Sequence, residues 1–318
     1  MIFKTKMFYL LSLILCCGGH SALAEESGVI DRAMERFGAS ELEFSRSDSN
    51  VPFFPVALLG GTHYGDAEVE TDDGRDLTYD VDTFSQAAGI PFLLGDRDML
   101  VVGEYVSYSD FSVEGGEVDD FRVTSVGLPM GWVRQVNEQW QAAAFVMPIG
   151  HDSDLNDSGW NWQTLGGGFA RWEQRDDLWW AFGLYFDVGG DDDFVIPYVG
   201  ASWEINQRWT LSAVMPWPAV LYAPTPDWLF RLGVSPSGAS WSIEPENGEA
   251  YVNIDSWDFG LGVERRFFRH FWAGVEAGWG GFRGLRLSDG GADSIDIDVG
   301  SSAYINMSIA IRPSIIDR

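Results

Sequence analysis

His151, Asp152 and Ser153 place an imidazole base two residues from a hydroxyl nucleophile. Barrel hydrolases that cut lipids use a Ser–His pair with a third group orienting the imidazole. No carboxylate in this acidic stretch can be assigned that orienting role, so no catalytic residue is named. A lipid-modifying hydrolase is only the third functional reading. Asp152, Asp154 and Asn156 alternate as the first oxygen ligands of a Ca²⁺ loop do. Asp157 then stands where glycine is expected, and Gln163 where the distal Glu should be. The match is half a motif. It supports loosely bound Ca²⁺ at an acidic rim, with Asp152, Asp154, Asn156 and Asp157 as weak metal candidates, and no other cofactor. His63 and His270 read as ordinary surface or interface residues.

A second set could do electrostatic work. Glu104, Arg171, Glu173, Asp187, Glu204, Asp258, Glu264, Arg266, Glu276 and Arg312 fall within alternating stretches, in register with small or polar residues. If that face is a lumen, seven acids against three Arg leave uncompensated negative charge. Buried charges need partners, so the excess argues for a wet, cation-preferring pore.

Such residues need elements to hold them. Leu178, Trp180, Phe182, Leu184, Phe186 and Val188 are large and apolar, and small, aromatic or charged residues stand between them. A period of two is a strand with two unlike faces. The pattern recurs in fourteen segments: 53–64, 77–94, 99–113, 119–136, 139–149, 159–174, 178–189, 193–205, 208–222, 227–235, 238–244, 252–267, 271–287 and 295–312. The first segment and the 227–244 pair are the weakest, which makes twelve the fallback. Tight turns at 95–98, 137–138, 175–177, 206–207 and 268–270 alternate with longer acidic connections, as in transmembrane barrels. Arg and aromatic residues gather at the tight turns. Trp132, Trp140, Trp172, Trp179, Trp203 and Trp209 read as an interfacial girdle. The expected fold is therefore all-β, an antiparallel up-and-down transmembrane barrel.

The first 24 residues carry Lys4 and Lys6, an apolar run from Met7 to Cys17, and the Ala22–Ala24 cleavage pattern of an export signal. The run is about half the length of a membrane-spanning helix. Both cysteines lie inside the signal, so the mature chain has neither a disulfide nor a thiolate metal site. Without Lys4 and Lys6 the basic residues are 18 Arg, against 48 acidic residues, a net charge of −30. Such a chain repels nucleic acid. The domains expected are a signal peptide (1–24), a periplasmic N-terminal extension (25–51) and an outer-membrane barrel (52–318). The extension reads as a mobile segment, or alternatively as a plug.

From Pro52 to Pro313 the Gly- and Trp-rich strands, and the terminal strand Tyr304–Pro313, resemble a bacterial outer-membrane β-barrel family catalogued as a domain of unknown function. The chain departs from many such barrels by continuing through Ser314 to Arg318 instead of ending on an aromatic residue. The resemblance implies no activity. The leading reading is a non-enzymatic narrow channel or passive transporter for small, preferentially cationic solutes in the outer membrane of a Gram-negative bacterium. The alternative is a sealed barrel with a structural or surface-binding role toward lipopolysaccharide, a divalent cation or a partner protein. Outer-membrane lipid and the barrel-insertion machinery are the expected partners. The mature protein should therefore sediment with membranes and stay there through a carbonate wash; recovery in the supernatant would identify a soluble β-protein.

Overall fold

The computed structural model describes residues 39–42, 49–70, 76–114, 120–154, 159–189, 193–215, 217–243, 250–289 and 294–313. Among them, sixteen strand segments form one antiparallel sheet. They are β1 (Ala57–Glu70), β2 (Asp76–Leu93), β3 (Asp98–Glu114), β4 (Phe121–Gly127), β5 (Met130–Gln135), β6 (Trp140–Ser153), β7 (Asn161–Arg175) and β8 (Leu178–Val188). The second half holds β9 (Phe194–Asn206), β10 (Trp209–Val214), β11 (Ala219–Thr225), β12 (Trp228–Ile243), β13 (Ala250–Phe268), β14 (Phe271–Asp289), β15 (Ser294–Val299) and β16 (Ser302–Ile311). β4 and β5 are two parts of one strand: both pair with β3 and with β6, and Leu128–Pro129 interrupts them. β15 and β16 likewise both pair with β14 and with β1. The segments therefore make fourteen strands, as the sequence pattern predicts.

The sheet closes on itself. β1 pairs with β16 in register from Ala57↔Ile311 to Tyr64↔Tyr304. Closure leaves no edge there for lipid to meet, which a sheet spanning a bilayer requires. Outward positions are apolar: Phe84, Val106, Val126, Leu184, Leu261, Val275, Met307 and Ile309 are all exposed. Toward the long-loop end the same outward rows change to Asp82, Asp110 and Arg122, which marks the top of the apolar band. At the tight-turn end Trp140 stacks on Trp172 (6.1 Å) and Trp209 packs on Tyr222 (4.4 Å). Trp180, not Trp179, joins this outer belt. Trp179 faces inward, under the Arg171 guanidinium at 5.2 Å.

Two strands are partitioned differently from the sequence reading. The stretch 208–222, read as one strand, is the hairpin β10–β11. The stretches 227–235 and 238–244, read as two strands, are the single β12. Pro236 suggests a break, but it pairs only with Trp257 on β13, because β11 stops at the Ala219↔Gly233 pair. Proline lacks an N–H, so it is tolerated where a strand has no neighbour on one side. Pro197 lies on the facing edge of β9, beyond the last β9–β10 pair at Gly200↔Val214. β10 and β11 are thus a low place in the wall. Six residues of tilted strand rise roughly 15 Å, whereas an apolar band is about 25 Å tall. Val195, Ile196, Val199, Met215, Trp217 and Leu232, all exposed, surround the notch. β12 also comes within 8 Å of β6 between Cα atoms, across the barrel.

Inside, glycine makes room for longer neighbours. A Cβ on Gly260 would strike Tyr304 Oη and lie 2.6 Å from Glu276 Oε1, whereas one on Gly168 would meet nothing within 4 Å. Gly260→Val should therefore lower stability by about 1–3 kcal/mol through overpacking, and Gly168→Ala should leave it nearly unchanged. Urea titration of the heat-modifiable folded band in micelles measures both; equal effects would show that the inward packing is not tight.

Candidate functional site in the barrel lumen

Nine of the ten charged residues expected in the lumen do face inward; Glu104 does not. It shares the outward face of β3 with exposed Val106, while Ser107, Ser109 and Phe111 occupy the inward positions. Its carboxylate accepts a hydrogen bond from Gln86 Nε2 at 2.5 Å, which offsets part of the cost of a polar group on an apolar face. The alternation over Gly103–Tyr108 is too weak in hydrophobicity to reveal its phase without the cross-strand register.

Four of the remaining nine pair with one another, and Arg266, Glu276 and Asp258 bond residues outside the set. At the tight-turn end, Arg312 donates two hydrogen bonds to Glu264, at 2.9 and 2.8 Å, and a third to the Phe53 carbonyl at 2.8 Å. Arg266 pairs with Asp227 in the β11–β12 turn. Arg171 lies 3.3 Å from Glu173 and 3.5 Å from Gln141 Oε1. Farther in, Glu276 accepts from Arg231 at 3.1 Å and from Tyr304 Oη at 2.7 Å. Tyr64, in ring contact with Tyr304 at 5.5 Å, donates to the buried Asp258 at 2.6 Å. Glu204 is on the inward face of β9 opposite Thr210, and Asp187 on that of β8 beside Tyr185. Arg231 was missed from sequence. Its two-residue period aligns it with Leu229 and Gly233, an inward set too mixed to stand out.

Aromatic residues share this lining. Phe145, Phe169, Tyr185 and Tyr198 form an inward cluster on β6–β9, with Phe169 edge-on to Tyr198 at 4.8 Å. Nearer the long loops Phe111 stacks on Phe121 at 4.6 Å, beside Val81 and Val123.

Described residues that precede β1 touch the tight-turn mouth at two places. Glu41 pairs with Arg97, and its N–H bonds the Asp96 carbonyl at the β2–β3 turn. Asn50 bonds the Gln207 carbonyl at the β9–β10 turn, and its side-chain amide donates to Ala223 O at 3.1 Å. Val51 is buried among Ala223, Leu229, Trp272 and Ala310.

The motif residues are dispersed. His151 bonds Ser125, not Ser153; Ser153 faces inward opposite Val123. Asp152 points outward opposite Thr124, and Asp154 accepts the Arg122 N–H at 2.6 Å. Asn156 and Asp157 lie outside the described residues. A different trio comes together on the outer face at the top of the apolar band: His63, Asp80 and Asp82, with donor atoms within 4.8 Å of one another. Positions 63 and 80–82 meet only through the β1–β2 register, so sequence spacing gives no sign of them.

No protein-family model matches the chain, and no curated protein matches it. Solved structures similar to it include an outer membrane channel from Pseudomonas putida F1, at 12% identity and TM-score 0.44, covering 85% of this chain and 100% of that one. A Pseudomonas aeruginosa FadL homologue is similar at 13% identity and TM-score 0.44, covering 81% and 90%. A TodX monoaromatic hydrocarbon channel mutant is similar at 10% identity and TM-score 0.40, covering 81% and 89%. No residue role is carried over from them.

Among the described residues the Arg312–Glu264 pair is the most shielded of the inward ion pairs, with side chains 12% and 21% exposed. Arg312→Met should cost about 3 kcal/mol by leaving the carboxylate without its partner, and adding Glu264→Gln should restore part of that loss. A double-mutant cycle in urea measures the coupling; additive losses would mean that the pair does not interact.

Proposed function

We propose that this protein is a narrow passive channel of the outer membrane, with the tight turns toward the periplasm. The observation that carries the reading is a series of polar inward groups that rises from the tight-turn end, Arg312–Glu264, through Glu276 and Asp258 to Ser125–His151, below the apolar cluster near the long loops. A barrel serving only as a structural plug is more cheaply filled with apolar side chains, since every buried charge costs desolvation. At the periplasmic mouth Asn50 and Val51 are fastened to the inner side of the barrel wall. The low β10–β11 wall offers a second, lateral mouth.

Solute preference follows from charge. With Glu104 outside and Arg231 inside, the described inward set has Glu173, Asp187, Glu204, Asp258, Glu264 and Glu276 against Arg171, Arg231, Arg266 and Arg312. The acidic excess falls from four to two. Together with a mature charge of −30, this supports exclusion of anions more than strong selection of cations. The solutes are accordingly small and cationic or neutral.

The second reading, a sealed barrel with a surface role, is favoured by the approach of β12 to β6 and by His63, Asp80 and Asp82, a ligand set suited to a divalent cation held against lipopolysaccharide phosphate.

Planar-bilayer recording separates the two. Mature protein lacking residues 25–51 should show discrete steps at least severalfold larger than the full mature chain, with a reversal potential on the cation side in a salt gradient. Silence from both forms, with insertion verified, supports the sealed barrel; an anion-side reversal potential overturns the charge argument.

A further inference from the structure

Two unpartnered buried groups lie side by side on the lumen wall. His151 on β6 is 6% exposed; its Nδ1 is held 2.7 Å from Ser125 Oγ on β4, and its Nε2 finds no partner among the described residues. Asn161 on β7 is directly opposite His151 in the β6–β7 register, and its buried Nδ2 likewise finds no partner among the described residues. Leaving one such group unsatisfied costs about 1–3 kcal/mol. Two adjacent ones on the same inward face form a pair of hydrogen-bonding positions, with Ser125 bonded to the imidazole.

The nearest inward neighbours along the strands are mixed: Ser153 on β6 and Gln163 on β7 are polar, whereas Ile149 and Val123 are apolar. Ile149, one inward position below His151, is 5% exposed. Above lie Val123, then Phe121 stacked on Phe111. The polar pair thus has apolar side chains within reach along β4 and β6.

We propose that the inward face of β4, β6 and β7 is a binding station for a small neutral molecule that carries a hydroxyl group on an apolar body. The inference rests on the lumen being a solute path, and it names what the path holds. The hydroxyl is chosen by donor and acceptor count. Asn161 Nδ2 can only donate, and Nε2 donates or accepts according to tautomer. A hydroxyl oxygen accepts from Asn161, while its proton goes to Nε2 or its second lone pair accepts from Nε2–H. An ammonium has no lone pair for Asn161. A carboxylate would enter a lumen lined by Asp258, Glu264 and Glu276. An alkyl group leaves both polar atoms bare. The apolar body then covers Val123 and the Phe111–Phe121 stack, where its burial adds to affinity.

The test uses the refolded, full-length mature protein in micelles with ¹⁵N-labelled histidine, where His63 and His270 serve as internal references. Benzyl alcohol is the probe; ethylbenzene replaces its hydroxyl by methyl, and benzylammonium replaces it by a cation. Benzyl alcohol should shift the His151 Nε2 resonance saturably and leave those of His63 and His270 unmoved. It should bind at least tenfold more tightly than either comparator. Asn161→Leu and His151→Phe, each verified as folded by heat-modifiable mobility, should each weaken binding of benzyl alcohol about tenfold and leave ethylbenzene binding within twofold. Equal affinity for benzyl alcohol and ethylbenzene, an unmoved His151 resonance, or unchanged binding in folded Asn161→Leu overturns the proposal. Binding is read without flux. A barrel that binds the alcohol but never conducts therefore sinks the channel reading and leaves the station standing, and a conducting barrel that ignores the alcohol does the reverse.

Discussion

The bilayer offers no water to a backbone N–H or C=O, so every peptide group crossing it must find its partner within the chain. That constraint turns fourteen strands into a ring. β1 and β16, over two hundred residues apart, are paired because an open edge between them would leave a ladder of unsatisfied groups in lipid. Closure then reverses the usual arrangement of faces: the apolar rows of each strand meet lipid, and the polar rows meet one another.

The polar interior is stable only if its charges are matched. Arg312 takes both oxygens of Glu264, Arg231 and Tyr304 share Glu276, and Tyr64 serves Asp258. Long side chains reach these partners because the strands between them carry glycine. Gly260 leaves space for Tyr304 and Glu276, and Gly274 for Glu264 and Ser308. Charge and glycine on one face are two parts of a single packing solution, since a Cβ in either place would push a carboxylate from its donor.

Where the constraint is relaxed, the chain manages the exposed edge. β10 and β11 are too short to cover the facing edges of β9 and β12, and proline stands on both edges, at 197 and 236. A missing N–H is one fewer group to satisfy. The upper part of β12, paired only to β13, belongs to the strand that approaches β6 across the lumen. The barrel is therefore asymmetric in cross-section, and β6, the strand approached, also carries His151.

The alternation of residues such as Trp180, Phe182 and Leu184 determined by itself that the chain would form strands with one lipid-compatible face, because a period of two needs no tertiary information. The count of alternating segments likewise gave fourteen strands, although one segment too few at 208–222 offset one too many at 227–244. The phase of weakly contrasted strands was not legible. Glu104 was assigned to the wrong face, and Pro236 suggested a break that exists only if both neighbours are present. The partners were also hidden: Arg231 with Glu276, Ser125 with His151, and His63 with Asp80 and Asp82 meet across strands whose register is set by closure of the whole ring. The local pattern decides what each face is made of, and only the tertiary structure decides which residues on a face touch, because contact across a sheet depends on the register of chains distant in sequence.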